Sequence, residues 1–219
     1  MNSKKKVLIA VVVAFILWTL MFSPWTAPHI PFWHAMTCSA IILTALAFLL
    51  GGNPFTAATG KLTNKDLLVN IGLGILIAVV LWGVFWVGDK LSQWMFPNFA
   101  RAQVNTIYAM KDGSSPVALS LLLLLIVGPA EELFWRGYVQ RSMMEEFKWK
   151  NSTLLPALAA VLIYALIHIA SLNFMLIMSA LVCGLVWGGL YWLFPHRLPA
   201  IVISHALWDA AVFVWFPIS

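Results

Sequence analysis

Seven long apolar runs separated by short polar breaks make up most of the chain: 6–23, 32–51, 67–88, 115–135, 154–171, 173–194 and 197–216. Each is close to the roughly 20 residues that a helix rising 1.5 Å per residue needs to cross a hydrocarbon layer. The pattern predicts an all-α, polytopic membrane helix bundle of about seven transmembrane helices. Lys4, Lys5 and Lys6 resemble the charged start of a signal peptide, yet no small-x-small cleavage site follows, so the first run reads as an uncleaved anchor. The stretch 90–108 is too polar to span. With Leu91, Trp94, Met95 and Phe99 it reads as an interfacial helix interrupted near Pro97.

Composition narrows the class further. Of 219 residues, 62% are hydrophobic and 10% charged, whereas a soluble domain is about 45–50% apolar and about 25% charged. So few charges cannot cover a water-soluble surface of this size, and so many apolar side chains exclude disorder. The net charge of +5 does not indicate nucleic acid, because the basic residues cluster between apolar runs rather than along one face. With the N-terminus in the cytoplasm, seven alternating spans put Lys4, Lys5, Lys6, Lys61, Lys65, Arg136, Arg141, Lys148, Lys150 and Arg197 inside. Lys90, Arg101 and Lys111 fall outside, so the count is ten against three. That bias predicts a multi-pass protein of the cell (inner) membrane with its N-terminus cytoplasmic and its C-terminus outside. Trp25, Trp33, Trp94, Trp192 and Trp215 lie near span ends, as interfacial belts require. Cys38 and Cys183 both sit inside apolar runs and read as small buried hydrophobes rather than a disulfide.

The chemistry lies in the ionisable residues that interrupt these runs. Asp66, Asp89, Asp112, Glu145 and Glu146 fall in loops or protruding ends, but Glu131, Glu132, Asp209, His168 and His205 lie within or beside spans. A carboxylate at mid-bilayer costs on the order of 2.5–3.5 kcal/mol, so each needs a function or a partner. Glu132 has a partner at hand: Arg136 is four residues on, which predicts an orienting ion pair on one helix face. Glu131 points about 100° away and has no such neighbour. Span four runs towards a turn near Lys150 and Asn151, and span five runs back. Counted from that turn, Glu131 and His168 stand at one level, roughly 28 Å away. His205 joins them if the 136–152 hairpin projects about 15 Å beyond the membrane surface. His205 and Asp209 share a helix face at i,i+4, as do Tyr164 and His168. Gly128-Pro129 predicts a bend just before the acidic pair, and a hydrated pocket beside it. The predicted site is therefore a convergence of Glu131, His168, His205 and Asp209 in the cytoplasmic half of the bilayer. A proton or ion pathway uses the same residue types, and residue chemistry alone leaves it open.

Three motifs in order add a resemblance. Gly128-Pro129-Ala130-Glu131-Glu132-Leu133-Phe134-Trp135-Arg136-Gly137 resembles the EExxxR motif of the CPBP family, the CAAX-processing and bacteriocin-processing intramembrane proteases also called the Abi family. Tyr164 to His168 resembles its FxxxH motif, and His205 to Asp209 its HxxxN or HxxxD motif. The resemblance divides a single membrane domain into spans one to three with the interfacial segment, 1–114, and a CPBP-like catalytic core, 115–219. It implies an endopeptidase acting on a membrane-associated or lipidated peptide or protein, in contact with membrane lipid and not with nucleic acid. By position, Glu131 is implied to activate water with His168 assisting, His205 and Asp209 to stabilise the oxyanion, and Glu132 and Arg136 to orient the site.

Two departures bear on mechanism. Tyr164 stands where the family has phenylalanine, which adds a hydroxyl. Asp209 stands where many members have asparagine, and an ionised Asp cannot donate to an oxyanion. Its spacing from His205 favours a different role, accepting from that ring and orienting it. Glu131, His168 and His205 would also make a three-ligand zinc set with an open water position, though no HExxH helix is present. The resemblance does not choose between a glutamate-dependent and a metal-dependent enzyme. Two other readings share the pattern: a catalytically silent member of this fold acting as scaffold, regulator or immunity factor, and a proton-coupled carrier, for which no inverted repeat is visible.

Overall fold

The computed structural model describes residues 2–55, 63–148, 150 and 152–218. Lys61, counted on the inner side, and Asn151, at the expected turn, lie outside them. Seven helices among the described residues are long and apolar enough to cross a membrane: α1 (Ser3–Phe22), α2 (Phe32–Gly51), α3 (Asn64–Met95), α5 (Pro116–Glu146), α6 (Leu154–Ser171), α7 (Phe174–Leu193) and α8 (Pro195–Trp215). A shorter helix, α4 (Pro97–Ala109), lies between the third and fourth. The chain is an integral multi-pass membrane protein, and its described residues form helices and no strands.

Helix ends follow local chemistry. Asn2 caps α1 through its side-chain oxygen, and Thr63 with Asp66 forms a reciprocal capping box at the start of α3. Residues 90–95 do not form a separate interfacial helix. They extend α3 to Met95, and the break falls at Phe96, from which Pro97 opens α4 with the donor-free nitrogen that a first turn tolerates. Asp89, expected in a loop, is therefore on α3, where its carboxylate accepts from Gln93.

The fourth span is longer than its hydrophobic run, continuing past residue 135 to Glu146. The reason is local neutralisation: Arg136 is paired with Glu132, so no charge must emerge there. Arg136 is 2% exposed and its neighbours through Gln140 are equally enclosed, so residues 136–140 are bundle interior and Arg136 drops out of the inner-side count. Gly128-Pro129 does not break this helix either. Two π-helical stretches, Leu123–Val127 and Trp135–Gln140, flank the turn that carries the glutamates. The first absorbs the hydrogen bond that Pro129 cannot make.

The two helices that carry Glu131, Glu132, His205 and Asp209 are the most enclosed, α8 at 61% and α5 at 50% of the span buried, against 22% to 28% for α1, α2 and α3. Helix α8 packs on α3 and α5, α6 on α7, and α1 on α2 and on the last turn of α6. Gly128 lets α5 meet α8: a Cβ there would lie 2.6 Å from the Ala206 Cα, one residue from His205. Of the two cysteines, Cys183 is buried but Cys38 is exposed, on a face of α2 turned outward. Apolar character in a span does not separate a lipid-facing position from a core one.

Candidate active site

Glu131, Tyr164, His168, His205 and Asp209 all line one cavity of about 520 Å³. Four different helical turns deliver them: the segment between the two π-helical stretches of α5, two successive turns of α6, and the middle of α8. The adjacent glutamates meet opposite surroundings. Glu132 is wholly buried; its Oε1 accepts from Arg136 Nη1 at 2.8 Å and from His205 Nδ1 at 2.6 Å. Arg136 is held from its other side as well, its guanidinium 4.4 Å from the centre of the Tyr164 ring. Glu131 faces the cavity and, among the described residues, accepts only a long bond, 3.4 Å, from the Tyr164 hydroxyl. The hydroxyl that distinguishes this chain from the FxxxH pattern is thus spent on the cavity carboxylate.

The His205 ring is fixed by Glu132 rather than by Asp209. With Nδ1–H donated to Glu132, its Nε2 points towards Asp209 Oδ2 at 3.5 Å, too far for an ordinary hydrogen bond. Spacing alone favoured Asp209 as the orienting group. The tertiary approach at Gly128 brings a better one. Trp187 stacks on the imidazole at 3.9 Å and donates to Ser204, which locks the ring plane.

His168 is held by residues from two helices. Its Nδ1 lies 3.0 Å from the Tyr164 carbonyl, and its Nε2 accepts from the Trp18 indole at 3.1 Å. Both nitrogens are therefore engaged, in the neutral Nδ1–H form. This bears on zinc, which needs a free lone pair from each histidine. His168 offers none here, because Trp18 occupies its Nε2, and no three His, Cys, Asp or Glu among the described residues are grouped to hold a metal ion. The residues present do not fit zinc in this arrangement.

Trp18 and Trp187 were not singled out by sequence. The available signal was position: Trp18 lies within its apolar run, five residues before Ser23, where an indole N–H needs a protein partner. Helix α1, generic by sequence, thus reaches the cavity. His29, His34 and His196 stay outside it.

The cavity has a direction. Its deepest lining groups, Glu131, Tyr164, Cys183 and His205, lie near mid-helix, and the rest run towards Phe96, Tyr108 and Ile218. It opens at the end of the bundle away from Lys4–Lys6, not towards the N-terminal side as expected from the loop arithmetic. That arithmetic fixed relative levels but could not say on which side of them the helices part.

Residues 113–211 match the family model described as type II CAAX prenyl endopeptidase Rce1-like. These residues form an Rce1-like segment. All three motifs lie within it, in agreement with the CPBP resemblance. Helices α1 to α4 lie before the match. No curated protein and no solved structure matches the chain.

Proposed function

We propose that this protein is an intramembrane endopeptidase in which Glu131 activates water against the scissile carbonyl of a membrane-associated or lipidated peptide. Glu131 takes a proton as the water oxygen bonds to the carbonyl carbon. The carbonyl oxygen becomes an oxyanion, and collapse expels the amine, which takes up the proton that Glu131 held. His205, kept in place by Glu132 and Trp187, is the donor for that oxyanion: as the imidazolium it keeps Nδ1–H on Glu132 and presents Nε2–H to the cavity. Asp209 lies beyond Nε2 and sets its reach. Glu132 and Arg136 form the frame, and His168 closes the wall, assisting only when Trp18 releases its Nε2. No step uses a metal.

The observation that carries this reading is the contrast at residues 131 and 132: one carboxylate held through its Oε1 by Arg136 and His205 in the frame, its neighbour turned into the cavity with one weak partner among the described residues. The substrate class follows the Rce1-like segment, a lipid-bearing or membrane-anchored peptide being the first to try. The N-terminus is taken as cytoplasmic on the distribution of lysine and arginine.

The test is cleavage of lipidated and unmodified peptides by the purified protein in lipid. Full activity is expected after exhaustive chelation, and a loss of about 100-fold or more is expected for Glu131→Gln. Cleavage that persists in Glu131→Gln removes the proposed base. Loss on chelation that zinc restores replaces the metal-free route with a metal one.

A further inference from the structure

The site has one open end, and that end is the one with few basic residues. Each helix contributes to the cavity only from about its midpoint towards the end that carries Phe22, Met95, Pro116, Phe174 and Trp215. The other half is closed by packed aromatic residues: Trp135, Tyr138, Trp187 and Tyr191 are each no more than 2% exposed. Across the open end, α3 packs on α8 and α4, and α7 on α6 and α4, so α4 bridges α3 and α7 above the cavity. Asn173 fastens this bridge by donating to the Gln103 carbonyl and the Thr106 hydroxyl, both at 2.9 Å. Beneath it, Val84 and Leu91 of α3 and Met178 of α7 are exposed as well as lining the cavity. The cavity therefore meets the bilayer between these two helices.

The charges lie at the opposite end. Lys4, Lys5, Lys6, Lys65, Arg141, Lys148, Lys150 and Arg197 flank the closed half, and only Lys90, Arg101 and Lys111 flank the open one. Short basic flanks remain on the cytoplasmic side of a membrane. We propose that the cavity is entered from the non-cytoplasmic half of the bilayer, so that the substrate is an exported, membrane-anchored peptide cut on that side rather than a tail presented from the cytoplasm. This rests on the endopeptidase reading for the cutting but not for the direction of access. The occupant is peptidic because the polar groups, Glu131, His205 and Asp209, lie at the deep end. The walls above them are apolar, which suits a scissile bond reaching the floor with apolar side chains or an anchor behind it.

Thiol labelling of the full chain in intact cells tests the direction. With Cys38 and Cys183 replaced by serine, Ser92→Cys and Ser179→Cys place a thiol on the cavity wall, and Lys148→Cys places one at the closed end. A membrane-impermeant maleimide is expected to label the two wall cysteines at least ten-fold faster than Lys148→Cys, which should react only after permeabilisation. Asp112→Cys, on the exposed turn before α5, gives the same answer where a wall variant fails to accumulate. Labelling of Lys148→Cys in intact cells with the others protected overturns the proposal, as does labelling of all from one side. Because the maleimide reports access and not hydrolysis, Glu131→Gln should label like its parent. A failure of cleavage would leave this inference standing, and reversed labelling would leave the endopeptidase reading standing.

Discussion

Glu131 and Glu132 are one peptide bond apart and have almost nothing else in common. Glu132 is completely enclosed and holds Arg136 and His205 at 2.8 and 2.6 Å. Glu131 faces a cavity and, among the described residues, is held by one long hydrogen bond of 3.4 Å. A helix turns each residue by about 100°, so adjacent positions on one strand of chain can serve a rigid frame and a reactive surface at once. The frame is expensive to disturb because its charges are out of water. The reactive group is cheap to alter structurally and costly to alter chemically.

The contrast is open to direct attack. Replacing Glu131 with Gln is expected to reduce cleavage by about 100-fold to 10,000-fold while leaving thermal unfolding in detergent within about 1 kcal/mol. Glu132→Ala should do the reverse first: it leaves Arg136 buried and uncompensated, a loss of about 3–5 kcal/mol in unfolding stability. A Glu132→Ala protein as stable as its parent would remove the frame from the account. Gly128→Ala forces a methyl against the Ala206 backbone, and overpacking of this kind costs about 1–3 kcal/mol. Loss of activity at intact melting temperature would show that the α5–α8 approach sets geometry rather than stability. Tyr164→Phe sharpens the comparison from the other side. It removes the Tyr164 hydrogen bond to Glu131, worth about 0.5–1.5 kcal/mol, so activity should change by no more than about ten-fold with the frame intact. Trp18→Phe is the mildest, about 1 kcal/mol in stability from the lost bond to His168, measured by the same melt.

The fold was legible in the sequence because a bilayer demands long apolar runs, and the seven runs became seven helices, two of which, α3 and α5, outrun their runs. The ends were less legible. Residues 136–140 look like an exit from the membrane by composition, yet Arg136 stays inside because Glu132 and the Tyr164 face neutralise it, and that depends on a tertiary neighbour. The cavity residues were readable as charges out of place, and Glu132–Arg136 as a helix-face pair. The partner of His205 was not, since i,i+4 spacing offered Asp209 while Glu132, 73 residues earlier, reaches Nδ1 across the Gly128 contact. Trp18 was hidden for the same reason: nothing local links an indole on the first helix to an imidazole 150 residues later. The opening of the cavity was illegible too, because helix levels carry no information on where helices separate.

The central claim, that Glu131 cuts membrane peptides, is tested most directly by sequencing the peptide termini in membranes of cells that carry either the parent chain or Glu131→Gln at equal abundance. The account predicts a set of new termini, beside apolar or lipid-bearing residues, that is present with the parent and absent with the variant. An identical set of termini in both membranes would contradict it.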